Sequence, residues 1–349
     1  MPKSRAGPVL VTGATGFVGR SLVPALLARG RRVRATTRSR RPGLDPRVDW
    51  IEADLSRPAD LPRALDGVEE AFFLVHGMAR PKEDYTEEER FAAAAFAREA
   101  ERAGLSRIVY LGSVAPRVAP SKHLASRLAV GEVLRSGRVP TLELRASMLV
   151  GAGSAAWQVV RDLAMRLPAV VLPAWAESRI CPLAVEDAIA ALVAGLDVPL
   201  DASAWYDASG PDVLTLREIL ERVAALRGRA LPAFRAPLPY PRVSTLWLKL
   251  VSDADWPVVR ELVLGLAHDL LPADDRYWSL ARLPPRLPFD EAARRSLRRS
   301  RPPHGLRGAV LALEEALVDA WAPRRRPPAG GVARAPGAAA DAPGGRLPG

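Results

Sequence analysis

The chain has 349 residues, enough to bury a sizeable core in one large or two smaller domains. Hydrophobic residues make up 48%, as in a soluble globular protein, and no long apolar run free of charge offers a membrane-spanning helix. Net charge is +11 and the pI about 10.6, which brings nucleic acid and anionic membranes forward as partners. Lys3, Lys82, Lys122 and Lys249 are the only lysines among 50 basic residues, however. An arginine excess beside abundant Ala, Pro and Gly is the mark of GC-rich coding, so nucleic acid is not the expected partner. Arg294, Arg295, Arg298, Arg299, Arg301 and Arg324 to Arg326 carry much of the clustered excess. Cys181, alone, allows no internal disulfide and reads as a small core filler in a reducing compartment. Met1-Pro2-Lys3-Ser4-Arg5 leads directly to the first strand and leaves no room for a signal peptide, so the expected location is the cytoplasm.

Val9 to Thr12 is a short β-branched and aliphatic run, the pattern of a buried parallel strand. Gly13, Gly16 and Gly19 follow at three-residue spacing, and Ser21 to Leu27 then repeats apolar residues with helical period. Strand, glycine turn and helix in this order bring backbone close to a bulky anion and aim unpaired helical N–H groups at a pyrophosphate. Gly13 suits the tight turn, Gly16 the close approach and Gly19 the helix–strand contact. The second strand, Val33 to Thr37, ends in Thr37-Arg38-Ser39, with no acid to accept from a ribose 2′-hydroxyl. Arg38, with Thr37 or Ser39 as hydroxyl donors, suits a 2′-phosphate instead, so NADP is expected over NAD.

Strands follow at Val48–Glu52 and Ala71–Val75, the latter ending in His76-Gly77-Met78 at the edge where a doubly wound sheet places its ligands. Pro58 to Leu65 reads as a short helix between them. Thr86-Glu87-Glu88-Glu89 reads as a capping box opening a helix through Ala103, closed by Gly104. Ile108–Leu111 is a fifth strand reaching Gly112-Ser113, Lys122–Ser136 a helix, and Leu142–Ala146 a sixth strand. This alternation requires a parallel sheet covered on both faces. Later segments read as a helix to about Arg166, a strand near 169–172, a helix led by Arg179 to Asp187 and ending near Leu196, and a strand at Trp205–Ala208. A second capping box at Thr215-Leu216-Arg217-Glu218 begins a helix to Arg227. Residues 244–271 form two amphipathic helices whose stripe is read as core, with peripheral membrane contact as the alternative. From Pro323 the composition offers almost nothing to bury, so a disordered tail is expected over 323–349.

Several motifs together resemble the atypical or extended short-chain dehydrogenase/reductase superfamily. They are Thr12-Gly13-x-x-Gly16-x-x-Gly19, Asp54-Leu55, the serine ending the fifth strand, and Pro182-Leu183-Ala184-Val185-Glu186-Asp187. More closely, Phe73-Leu74-Val75-His76-Gly77-Met78, His123-Leu124-x-Ser126-Arg127, Glu143-Leu144-Arg145-Ala146 and Gly210-Pro211-Asp212-Val213-Leu214-Thr215 resemble the bacterial YbjT-like group of NAD(P)-binding proteins. That group is akin to NmrA-like and complex I 39-kDa-subunit-like proteins. The resemblance spans about residues 7 to 290. It implies a Rossmann-type doubly wound parallel sheet over 7–210, with 151–180 partly on the substrate side, and a smaller, mainly helical C-terminal substrate region over 211–322. It implies a cofactor held by Thr12, Gly13, Thr15, Gly16, Phe17, Val18, Gly19, Thr37, Arg38, Ser39, Asp54, Leu55, Val75, His76 and Arg127.

The superfamily's working residues are Ser, Tyr and Lys, the last two as Tyr-x-x-x-Lys after the fifth strand. Ser113 is present, but His123-Leu124-Ala125-Ser126-Arg127 stands where that pair belongs. His123, with His76, is then the candidate proton donor, with a pKa expected near neutrality. Arg127 is the candidate ligand of the nicotinamide ribose, able to favour an anion but never to act as a base. Two readings stay open: an NADP(H)-dependent oxidoreductase on an apolar carbonyl, enone or quinone-like small molecule, or a non-catalytic NADP(H) sensor or assembly factor. Trp157, Trp175, Trp205 and Trp247 motivate the apolar substrate, and no Cys/His/Asp spacing suggests a metal site.

Overall fold

The computed structural model describes residues 7–39, 43–75, 85–236 and 268–300, together with 313, 316–318 and 320. His76, the tail beyond Pro323 and all but the end of the 244–271 segment lie outside these residues. The four described residues of that segment, 268–271, are not helical; Leu270 instead bridges Ile180.

The first half alternates strand and helix. β1 is Val9–Val11, α1 Phe17–Ala28, β2 Val33–Thr37 and β3 Asp49–Glu52. After a 3-10 turn at Pro58–Asp60 come α2 (Leu61–Leu65), β4 (Glu70–Phe73), α3 (Tyr85–Arg102), β5 (Arg107–Ser113), α4 (Lys122–Arg135) and β6 (Thr141–Ala146). β7 is Leu149–Val150, α5 Ala155–Arg166, β8 Val170–Pro173, β9 Arg179–Ile180 and β10 Leu183–Ala184. Then follow α6 (Val185–Ala194), β11 (Ala204–Asp207), β12 (Leu214–Thr215), α7 (Leu216–Ala225), β13 (Ala233–Ala236), α8 (Arg276–Leu280) and α9 (Phe289–Arg299).

Seven strands form one sheet in the order β11-β6-β5-β4-β1-β2-β3, every neighbouring pair parallel. Crossover helices cover both faces, as parallel pairing demands. On one face α1 and α6 bury Leu22, Leu26, Ile189 and Leu192 against Val9, Val11 and Leu144. On the other, Phe96, Val130 and Leu134 of α3 and α4 cover Leu10, Phe73 and Tyr110. A third core joins α5, α7 and α9, where Trp157 meets Phe289 at 6.5 Å between ring centroids. The chain visits this lobe at α5, returns to the sheet through α6 and β11, and goes back through α7. No helix among the described residues is long and apolar enough to cross a membrane.

One local expectation is corrected. Thr86 lies inside α3, which already includes Tyr85, so it is not the N-cap of that helix. Glu89, assigned to that box, instead accepts from Ser126 Oγ on α4. The second box forms as read: Glu218 N–H donates to Thr215 Oγ1 at 3.2 Å and Thr215 N–H to Glu218 Oε2 at 2.8 Å.

Candidate cofactor cleft

The glycine turn at the C-terminal end of β1 is built by sterics. Gly13 has φ +64°, and a Cβ there would sit 2.7 Å from the Leu74 carbonyl oxygen. At Gly19 a Cβ would meet Gly13 O at 2.4 Å, so α1 lies directly on the turn. Gly16 is the N-cap of α1 and supplies no side-chain acceptor. The first N–H groups of α1 therefore face outward at a backbone able to approach an anion closely. Thr12 has another task. Its hydroxyl donates to Phe72 O at 3.0 Å and accepts from Leu74 N–H at 2.9 Å, stitching β1 to β4.

A cavity of about 270 Å³ opens beside this turn, lined by Gly13, Thr15, Gly16, Thr37, Arg38, Asp54, Leu55 and Val75 among the expected residues. Thr37 Oγ1 donates to Ser39 O at 2.8 Å, which folds the end of β2 and leaves Arg38 on the cavity wall. Arg38 is exposed and has no carboxylate partner among the described residues. Asp54 Oδ1 accepts from Ser56 N–H at 3.0 Å and Ser56 Oγ at 2.8 Å, shaping the turn after β3. Phe17, Val18, Gly19 and Ser39 surround the cleft without lining this cavity. Phe17 reaches the Gly151-Gly153 loop, where Cβ atoms would meet its ring at 3.0 and 3.4 Å.

The wall that sequence reasoning missed comes from α3: Tyr85, Glu88, Glu89 and Ala92. Their spacing of i, i+3, i+4 and i+7 is one helical face, and that periodicity was the available signal. The acidic run therefore lies inside the helix on this wall and does not cap it.

Ser113 closes β5, and His123 and Arg127 occupy the first two turns of α4, all three buried. Ser121 caps this helix, its Oγ accepting from Leu124 N–H at 3.4 Å. His123 does not titrate near neutrality. Burial, and secondarily the Arg127 charge, lowers its pKa to about 3, so the imidazole is neutral at physiological pH. Arg127 donates through Nη2 to the Leu111 carbonyl, and its guanidinium lies 5.5 Å from the centre of the Tyr110 ring. Tyr110 Oη donates in turn to Arg127 O at 3.0 Å, and burial raises the phenol pKa. The arginine expected at the ribose is thus held on the backbone and core of β5. Of the tryptophans that suggested an apolar substrate, Trp157 is core and Trp205 stacks under Arg145 at 4.1 Å, and neither lines the cavity.

Below α4 lies a buried ion network with no counterpart in the sequence reading. Glu143 is fully buried and accepts from Arg135 Nε at 2.8 Å and Arg145 Nε at 3.0 Å. Gly112 and Gly131 make the room, since a Cβ at either would sit 2.6 or 2.5 Å from Glu143 Oε1. No group of three or more potential metal ligands occurs among the described residues.

An NAD(P)H-binding family profile matches residues 13–150. A ceramide reductase of Caulobacter vibrioides is 34% identical over 247 residues, covering 68% of this chain and 76% of the relative. A (4-alkanoyl-5-oxo-2,5-dihydrofuran-3-yl)methyl phosphate reductase of Streptomyces griseus is 27% identical over 226 residues, covering 64% of this chain and 75% of the relative. Among solved structures, the Citrobacter sp. triphenylmethane reductase complexed with NADP(H) superposes with a TM-score of 0.64 at 16% identity, covering 83% of this chain and 99% of that one. That last likeness concerns the fold. The glycine turn, the strand order and the 34% identity converge: this chain belongs to the atypical, NmrA-like branch of the NAD(P)H-binding short-chain dehydrogenase/reductase family.

Proposed function

We propose that this protein is a cytoplasmic NADP(H)-dependent reductase of a carbonyl, enone or quinone-like group on a largely apolar small molecule. The observation that carries the cofactor half is Arg38, on the cavity wall at the end of β2 with no described carboxylate beside it. The cradle fits the group. Gly13, Gly16 and the α1 N-terminus would take the pyrophosphate, Arg38 the 2′-phosphate, and Leu55 and Val75 the base. The nicotinamide, when bound, supplies the hydride. The two reductase relatives, named for ceramide and for an alkanoyl furanone phosphate, support reduction of a molecule with apolar parts.

In this reading Ser113 donates its hydroxyl hydrogen bond to the substrate oxygen. His123 acts as a neutral N–H donor to the developing oxyanion, not as an imidazolium acid, and the proton that completes the alcohol comes from solvent water. Arg127, fixed on Leu111 O, holds the start of α4 against β5 and adds positive charge behind the site. A second reading, a non-catalytic NADP(H) sensor or assembly factor, draws support from the same neutral His123 and anchored Arg127.

Fluorescence titration with NADPH and NADH tests the cofactor half. NADPH should bind at least about tenfold tighter, the worth of one charged hydrogen bond, and Arg38→Ala should erase that preference. Equal affinities unmoved by the substitution would reassign the cofactor to NAD. NADPH oxidation against a carbonyl and quinone panel separates the two readings. Turnover lost in Ser113→Ala supports the reductase, whereas intact binding with no turnover anywhere supports the sensor.

A further inference from the structure

The glycine turn carries a cation of its own. Arg20 stands in the first turn of α1 on its exposed side, while Gly19, Leu22 and Val23 are buried against the sheet. Its Nε donates to the Thr15 carbonyl at 2.7 Å, so the side chain folds back over the turn that precedes it. An arginine fixed at Nε still presents its two terminal nitrogens as a planar fork. Among the described residues no carboxylate takes that fork. Thr15, whose carbonyl holds Arg20, lines the same cavity as Arg38. β2 pairs directly with β1, so the end of β2 and the turn after β1 are neighbours at one edge of the sheet. Two adjacent elements thus each bring a guanidinium to this side of the cavity.

One arginine does not match a phosphomonoester. That group carries a charge of about −1.5 to −2 at neutral pH and three strong acceptor oxygens. A pyrophosphate differs, because the N–H groups at the start of α1 already meet it. We infer that Arg20 and Arg38 together clamp the 2′-phosphate of the dinucleotide, each supplying one charge and Arg20 offering Nη1 and Nη2. This rests on the dinucleotide reading of the cleft. The bond to Thr15 pre-sets the fork, so binding costs little side-chain freedom. Both cations address one dianion and act as a unit, so loss of either should remove most of the preference for NADPH.

The test compares NADPH and NADH by nicotinamide fluorescence in the full-length protein and in Arg20→Gln, which keeps a donor and a good helix former but removes the charge. NADPH affinity should fall about tenfold in the variant while NADH affinity stays within about twofold. Displacement of NADPH by 2′,5′-ADP and by 5′-AMP reads the same phosphate without the nicotinamide or the pyrophosphate. The advantage of 2′,5′-ADP over 5′-AMP should shrink with it. A merely structural role, or a contact with the pyrophosphate, would weaken NADPH and NADH alike and overturn the inference. A preference for NADPH that Arg38→Ala erases and Arg20→Gln leaves intact would also overturn it, while sparing the NADP reading. No preference for NADPH in the unmodified protein would remove both.

Discussion

His123 makes the acid side of the stability curve a direct test of the site's electrostatics. Its pKa is about 3 in the folded chain against 6.5 in an unfolded one, because burial and Arg127 both oppose the imidazolium. The folded state therefore binds fewer protons than the unfolded state between those values. The stability held above 6.5 is lost as pH falls through that window. At about pH 5 this one group should cost about 2 kcal/mol relative to pH 8, rising to about 5 kcal/mol below the folded pKa. Urea unfolding followed by circular dichroism at about pH 8, 7, 6 and 5 would measure it in the unmodified protein and in His123→Gln, which keeps hydrogen-bonding capacity without titrating. Asp187 and Asp207, whose pKa values burial raises, act with the opposite sign: their contribution is present in acid and fades as pH rises through their folded pKa values. They are common to both proteins and cancel in the difference. The expected result is a gap that changes by about 2 kcal/mol between pH 8 and pH 5, the variant being the less acid-sensitive. Parallel curves would mean that His123 is solvated, and its candidacy as a near-neutral acid would return.

Two further substitutions probe the scaffold. Gly19→Ala puts a methyl 2.4 Å from Gly13 O, so α1 must lift from the turn; dinucleotide affinity should fall at least about tenfold in the fluorescence titration, with a lowered Tm. Glu143→Ala leaves Arg135 and Arg145 with a buried partner missing and should cost about 3–5 kcal/mol of unfolding free energy in a urea titration, more than an exposed ion pair such as Arg90–Glu87.

Much of the fold was legible because its signals are local. Val9–Val11, Gly13 and the apolar period of α1 lie within one short stretch, and a strand–turn–helix unit has few other ways to fold. The strands beginning at Glu70 and Arg107 are legible for the same reason, short apolar runs between helical periods, and those at Val33, Asp49 and Thr141 from their place in the alternation. What escaped depends on neighbours distant in sequence. Glu89 meets Ser126 only because α3 packs on α4, and nothing in Thr86-Glu87-Glu88-Glu89 distinguishes a cavity wall from a cap. The tuning of His123 likewise follows from burial rather than from its identity, so the Tyr-to-His exchange suggested a near-neutral acid that the packing forbids. Glu143 is the plainest case, its place made by Gly112 on one strand and Gly131 on a helix.

The late motifs acquire a physical reason from the segment they hold. Asp187 Oδ2 accepts from Leu287 N–H at 2.8 Å, Asp207 Oδ2 from Ala273 N–H at 2.5 Å, and Asp212 Oδ2 from Phe289 N–H at 2.7 Å. Three carboxylates, from the first turn of α6, the end of β11 and the turn before β12, thus tie down the backbone of residues 273–289. That segment delivers α8 to α6, where Tyr277 Oη donates to Ala191 O at 2.7 Å, and α9 to the third core. Backbone hydrogen bonds to a carboxylate are each worth about 1.5–3 kcal/mol and are insensitive to the side chains of the segment they hold. The clamp therefore fixes where the helices of this segment lie through its backbone, while Tyr277, Trp278 and Phe289 anchor them by burial.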